Sequence, residues 1–147
     1  MGDLLTLAAK IARLRKGIPQ EVSKHAADVT LTMVGYLAFN TPVDTSKALS
    51  SWVVTFGKEA EGLPSAHYVG KYGSTYQQSA AETLQVAKRV LKDKKPGDPI
   101  YITNNQPYIV KLNDGTHSAQ PGGFREGALL LGKKQLGKIN FRKYYNG

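Results

Sequence analysis

In residues 20–39, Val22, Ala26, Val29, Met33 and Leu37 recur at four- and three-residue steps. That apolar stripe constrains the chain more than any other feature. Its period is that of an amphipathic α-helix, and a helix of about five turns with one apolar face has to bury that face against other elements. Pro19 suits a first helical turn, where the missing amide hydrogen has no intrahelical acceptor to lose. Pro42 disfavours helical backbone at Thr41 and sets the far end. A shorter stripe of Leu4, Leu7, Ala8, Ile11 and Leu14 predicts another helix over residues 3–15, ended by Gly17. At 147 residues the chain is read as one domain, with this helix in residues 1–17 and a basic, aromatic tail in residues 137–147.

Beyond the long helix the pattern changes. Asp44 or Thr45 offers an N-cap for a short turn through Leu49. Residues 52–56 are aromatic or β-branched and predict a strand with Trp52, Val54 and Phe56 on one face. Residues 57–76 combine Gly57, Gly62, Pro64, Gly70 and Gly73 with Tyr68, Tyr72 and Tyr76 and hold no period, so they read as a long loop that serves as an arm or a partner contact. Ala80, Leu84, Ala87 and Leu91 predict a helix over residues 77–91, with Ser74 or Thr75 near its start and lysines at its end. After the Pro96, Gly97 and Pro99 break, residues 100–104 and 107–112 read as two strands of a hairpin around Asn104, Asn105 and Gln106. Asn113, Asp114 and Gly115 form a turn, and a last helix runs over residues 124–136. The expected class is α+β: a small antiparallel sheet packed against a long helix in the N-terminal half and additional helices, with a long loop.

The net charge of +9 is unevenly placed. Residues 1–24 hold five basic and two acidic side chains, residues 88–95 five and one, and residues 125–147 six and one, while the rest of the chain is slightly acidic. Such segments attract polyanions, although lysine-rich ends also serve simply as solvated faces. Without cysteine there is no disulfide framework, thiolate metal cage or cysteine nucleophile. His25, His67 and His117 have no zinc-like spacing, and His25 beside Asp28 on a helix reads as a surface contact. No serine sits in a GxSxG elbow, Glu59 and Glu61 read as solvated loop acids, and the glycines fit neither phosphate-binding pattern. These observations predict a non-enzymatic protein with no cofactor and no bound metal. No stretch approaches the ~20 apolar residues of a membrane span and no charged-then-apolar leader opens the chain, so a soluble, unexported protein is expected. Tyr68, Tyr72 and Tyr76, at four-residue steps, either stack on bases or contact protein, and we favour the latter.

The segment TPVDTSKALSSW at residues 41–52, followed by IYITNNQPYIVKLNDGTHSAQPGGF at residues 100–124, resembles the head-tail joining or tail-completion (neck) proteins of long-tailed bacteriophages of siphovirus type. The order and rough spacing of the motifs agree over residues 20–136, with Ser46 in place of a usual glycine and Asn113 where a glutamate is common. The residues carrying the likeness are Pro42, Asp44, Thr45, Trp52, Asn104, Pro107, Tyr108, Gly115 and Thr116. The resemblance implies a structural virion protein, assembled in the host cytoplasm as a ring, typically hexameric. Its neighbours would be portal or adaptor proteins on the head side and a tail terminator or tail-tube protein on the tail side, with the genome passing through its lumen. Six copies would multiply the +9 charge sixfold, so acidic partners, counterions or nearby DNA are expected. Lys92, Lys94, Lys95, Lys133, Lys134, Lys138, Arg142 and Lys143 are the candidates to face DNA through sequence-independent contacts, and Tyr68, Tyr72 and Tyr76 to contact neighbouring subunits. The other reading is a small basic nucleic-acid-binding module whose last helix and tail grip phosphates.

Overall fold

The structure, a computed structural model, describes residues 20–42, 47–68, 74–115 and 122–138. Its elements in chain order are α1 (Gln20–Asn40), α2 (Lys47–Ser50), β1 (Val53–Phe56), α3 (Tyr76–Leu91), β2 (Ile100–Thr103), α4 (Ile109–Asp114) and α5 (Phe124–Gly137). The expected helix over residues 3–15 lies outside the described residues, as do Asp44, Thr45, Ser46, Tyr72, Thr116, His117, Arg142 and Lys143.

The α1 stripe organises the core. Val22, Ala26, Val29, Met33 and Leu37 are all at most 1% exposed, and Val34 and Ala38 widen the buried face. α3 and α5 make the most extensive contacts with α1, and α2 and β2 touch it less. Burial of each large aliphatic side chain contributes about 1.5–3 kcal/mol, so this face supplies much of the driving force for folding. β1 and β2 form a two-stranded antiparallel sheet in which Val54 faces Ile102 and Phe56 faces Ile100. The period-two reading of β1 therefore holds: Trp52 and Val54 are buried, Phe56 packs against the same core, and Ile100 and Ile102 complete that face. The fold is α+β with a small antiparallel sheet and a long N-terminal helix, as the sequence leads one to expect.

The expected hairpin within residues 100–112 is not formed. β2 pairs with β1 instead, and residues 109–114 are helical. Two local causes act together. The Asn104 side-chain oxygen accepts the Gln106 amide at 3.1 Å, which turns the chain, and Pro107 has no amide to donate to a strand ladder. Side-chain spacing then favours a helix. A strand would put Ile109 and Lys111 on one face, whereas a helical turn buries Ile109 with Leu112 and leaves Val110 and Lys111 exposed. Gly115, the expected turn residue, ends α4 in left-handed conformation at φ 76°, where a side chain would be strained.

α1 and α5 approach closely at one point. A Cβ added to Gly127 would lie 2.5 Å from Cζ and 2.6 Å from Cε1 of the Tyr36 ring. Gly127→Ala is therefore expected to displace the Tyr36 ring and lower stability by about 1 kcal/mol in urea unfolding, while Gly137→Ala, which meets nothing, leaves stability within about 0.5 kcal/mol or raises it.

Candidate functional site

The two segments that carry the resemblance meet in a buried polar junction at the C-terminal end of α1. Thr41 donates its backbone amide (3.0 Å) and its hydroxyl (2.5 Å) to the Leu37 carbonyl, and its Oγ1 accepts the indole N–H of Trp52 at 2.9 Å. The Trp52 ring meets Phe124, the first residue of α5, edge-to-face at 6.1 Å. On the other side, Asn104 Nδ2 donates to the Ala48 carbonyl at 2.8 Å and Gln106 Nε2 to Ser51 Oγ at 2.9 Å. Thr41, Ser51, Asn104 and Gln106 are each at most 8% exposed, so these bonds are made away from water and an unmatched group there costs about 1–3 kcal/mol. Pro42, next to Thr41 in the chain, is buried, whereas Pro107 and Tyr108 are exposed. Partial burial raises the Tyr108 phenol above its ordinary pKa.

A second feature ties α4 to α5. Gly123 precedes α5 and has no side chain to cap it, and Asn113 supplies the cap from α4: its Oδ1 accepts the Arg125 amide at 2.9 Å, and its Nδ2 donates to both Glu126 carboxylate oxygens at 3.1 and 3.0 Å. The Asn113 carbonyl also accepts the Gly123 amide at 2.7 Å. The Asn113 amide suits this place because one side chain both accepts and donates.

The third feature is a groove of about 660 Å³ between the N-terminal half of α1 and the C-terminal end of α3. Its rim carries Lys24, Lys88, Lys92, Lys94 and Lys95, and its wall Ala27, Leu31, Leu91 and Pro96, with Asp28 as the acid among the lining side chains. Lys24 of α1 therefore meets the basic run at residues 88–95. Lys94 helps build the groove: its ammonium donates to Ser23 Oγ at 2.6 Å and to the Lys95 carbonyl at 3.1 Å, and burial pushes its pKa below the ordinary lysine value, partly opposed by Asp98. Lys133, Lys134 and Lys138 are exposed on and just beyond α5 and do not line this groove. Sequence reasoning singles out Lys92, Lys94 and Lys95 but not Ser23, Lys24 or Lys88, because only the packing of α1 on α3 brings them together.

The tyrosines divide. Tyr76 donates its hydroxyl to the Phe39 carbonyl and packs edge-on against the Phe39 ring at 6.1 Å, so it is engaged within the chain. Tyr68 is 44% exposed, with its backbone held by the side chains of Ser79 and Thr75. Among the described residues, no three His, Cys, Asp or Glu side chains are grouped to hold a metal ion, and no helix is long and apolar enough to cross a membrane.

His67 has a titration that matters for stability. Burial lowers its pKa below the ordinary value of about 6.5; Glu82 raises it in part and Arg89 lowers it further. The unfolded chain therefore binds this proton more readily than the folded one, so stability is full above about pH 6.5 and declines as pH falls through that value. His67→Gln is expected to flatten this acid-side decline in a urea-unfolding series. Asn113→Ala is expected to cost about 0.5–2 kcal/mol by loss of the α5 cap, measured in the same way. Compared with protein-family models, curated proteins and solved structures, the chain matches none, so its function is to be read from these features themselves.

Proposed function

We propose that this chain is a structural virion subunit, a head-tail joining or tail-completion protein that forms a ring, typically of six, between the portal-adaptor complex and the tail tube. The observation that carries the reading is the buried junction. Residues 41–52 and 100–124 are the parts of the chain whose order resembles the neck proteins; the first is braced internally by the Trp52–Thr41 bond and is joined to the second by Asn104 to Ala48 and Gln106 to Ser51. Their side chains serve the fold, which gives a physical reason for such a motif in a protein whose task is assembly rather than chemistry.

The charge distribution supports the same reading. A ring of strongly basic subunits lowers its self-repulsion next to DNA and acidic neighbours, and lysines contact a passing duplex without reading its sequence. A second reading, a small nucleic-acid-binding module, draws on the exposed Lys133, Lys134 and Lys138.

Salt-dependent binding to duplex DNA and the composition of purified tailed particles separate the two. The neck reading predicts that free chain binds duplex weakly at about 0.15 M salt, without sequence preference, and that the chain remains with particles through density-gradient purification. Tight duplex binding by free chain, together with its absence from particles, would establish the module instead.

A further inference from the structure

The lysine groove has a counterpart on the same chain. Residues 57–64 leave the end of β1 as an irregular arm on which Lys58, Glu59 and Glu61 are exposed, with the two carboxylates outnumbering the one ammonium, and Leu63 is 55% exposed. Among the described residues, no other large exposed apolar side chain has two exposed carboxylates within four positions. The arm's backbone is fixed although its side chains are not covered. Asn105 Nδ2 donates to the Ala60 carbonyl at 2.9 Å and to the Gly62 carbonyl at 3.2 Å, the Ala60 amide donates to Thr103 Oγ1 at 3.3 Å, and Thr55 Oγ1 donates to the Lys58 carbonyl at 2.6 Å. A segment held in this way presents its side chains at reduced ordering cost on binding.

We propose that the acidic arm of one copy, Glu59, Glu61 and Leu63, seats in the lysine groove of the next copy, forming a heterologous contact that propagates around the ring. This rests on the ring reading above and adds which surfaces meet. The carboxylates pair with the rim lysines, and Leu63 covers the wall of Ala27, Leu31, Leu91 and Pro96. Both halves of the groove's chemistry are then used. A phosphate backbone would meet the lysines but leave that wall in water, and about 660 Å³ suits a short segment rather than a duplex. Because the donor patch and the acceptor patch differ, each copy has one of each, as a closing ring requires.

The absence of cysteine allows a direct test by disulfide trapping. Leu63→Cys chain is mixed with Lys92→Cys chain under mild oxidation, both free at high protein concentration and in particles assembled from the two. Two separate variants ensure that any product joins different copies. Exposed Gln78→Cys, at the opposite end of α3, replaces Lys92→Cys as the control. The proposal predicts a mixed dimer that forms roughly tenfold faster than the control pair and falls to the control rate when Glu59→Lys and Glu61→Lys are added to the Leu63→Cys chain. Trapping no faster than control, in solution and in particles alike, overturns it. So does protection of the Lys92→Cys thiol from alkylation by added duplex DNA but not by Leu63-bearing chain. If trapping fails while the chain still purifies with particles, the ring reading stands and this contact alone is wrong; if the chain is absent from particles, the ring reading itself fails.

Discussion

The hydrogen bond from the Trp52 indole to Thr41 is the constraint around which the rest is arranged. Thr41 closes the last turn of α1, Trp52 opens β1, and the indole ring rests on Phe124 at the start of α5. One residue thus fixes where the long helix ends, where the sheet begins and where the last helix enters. The indole is 3% exposed and has a polar N–H, so without Thr41 it would be buried unmatched, at a cost of about 1–3 kcal/mol. Pro42 follows immediately and keeps α1 from continuing through the junction. Asn104 and Gln106 complete the arrangement from the β2 side, so the polar groups specify a register that apolar burial alone leaves loose.

A rigid junction at the C-terminal end of α1 leaves other surfaces of the molecule for contact. The lysine groove sits at the N-terminal half of α1, and the arm runs beside β2, held by Asn105 and Thr103. Asp28 stands beside five lysines around the groove, so the proposed assembly would gain by bringing further carboxylates to that rim. Salt would weaken that gain, so the proposed contact is expected to be modest in solution and favoured where other proteins already hold copies close.

Much of the fold is legible in the sequence, and the parts that are not share one cause. The stripe from Val22 to Leu37, the alternation in β1 and the spacing in residues 77–91 are local patterns whose periods distinguish helix from strand, and the structure has those elements together with the last helix expected over residues 124–136. Residues 100–112 mislead because IYIT and YIV have the composition of strands, while the partner of the first is β1, far earlier in the chain, and the second is turned into a helix by Asn104 and Pro107. The lysine run at residues 88–95 is visible, but its meeting with Ser23 and Lys24 depends on how α1 crosses α3, and no local signal marks it. Asn113 is legible as a turn residue, whereas its role as the cap of α5 requires knowing which helix comes back to it.

Electron cryomicroscopy of purified tailed particles from the source of this chain tests the account most directly. The account predicts this fold in repeated copies as a closed ring at the head-tail junction, with the Trp52 and Asn104 junction inside each copy. A head-tail junction built wholly from other chains, with this one nowhere in the particle, would contradict it.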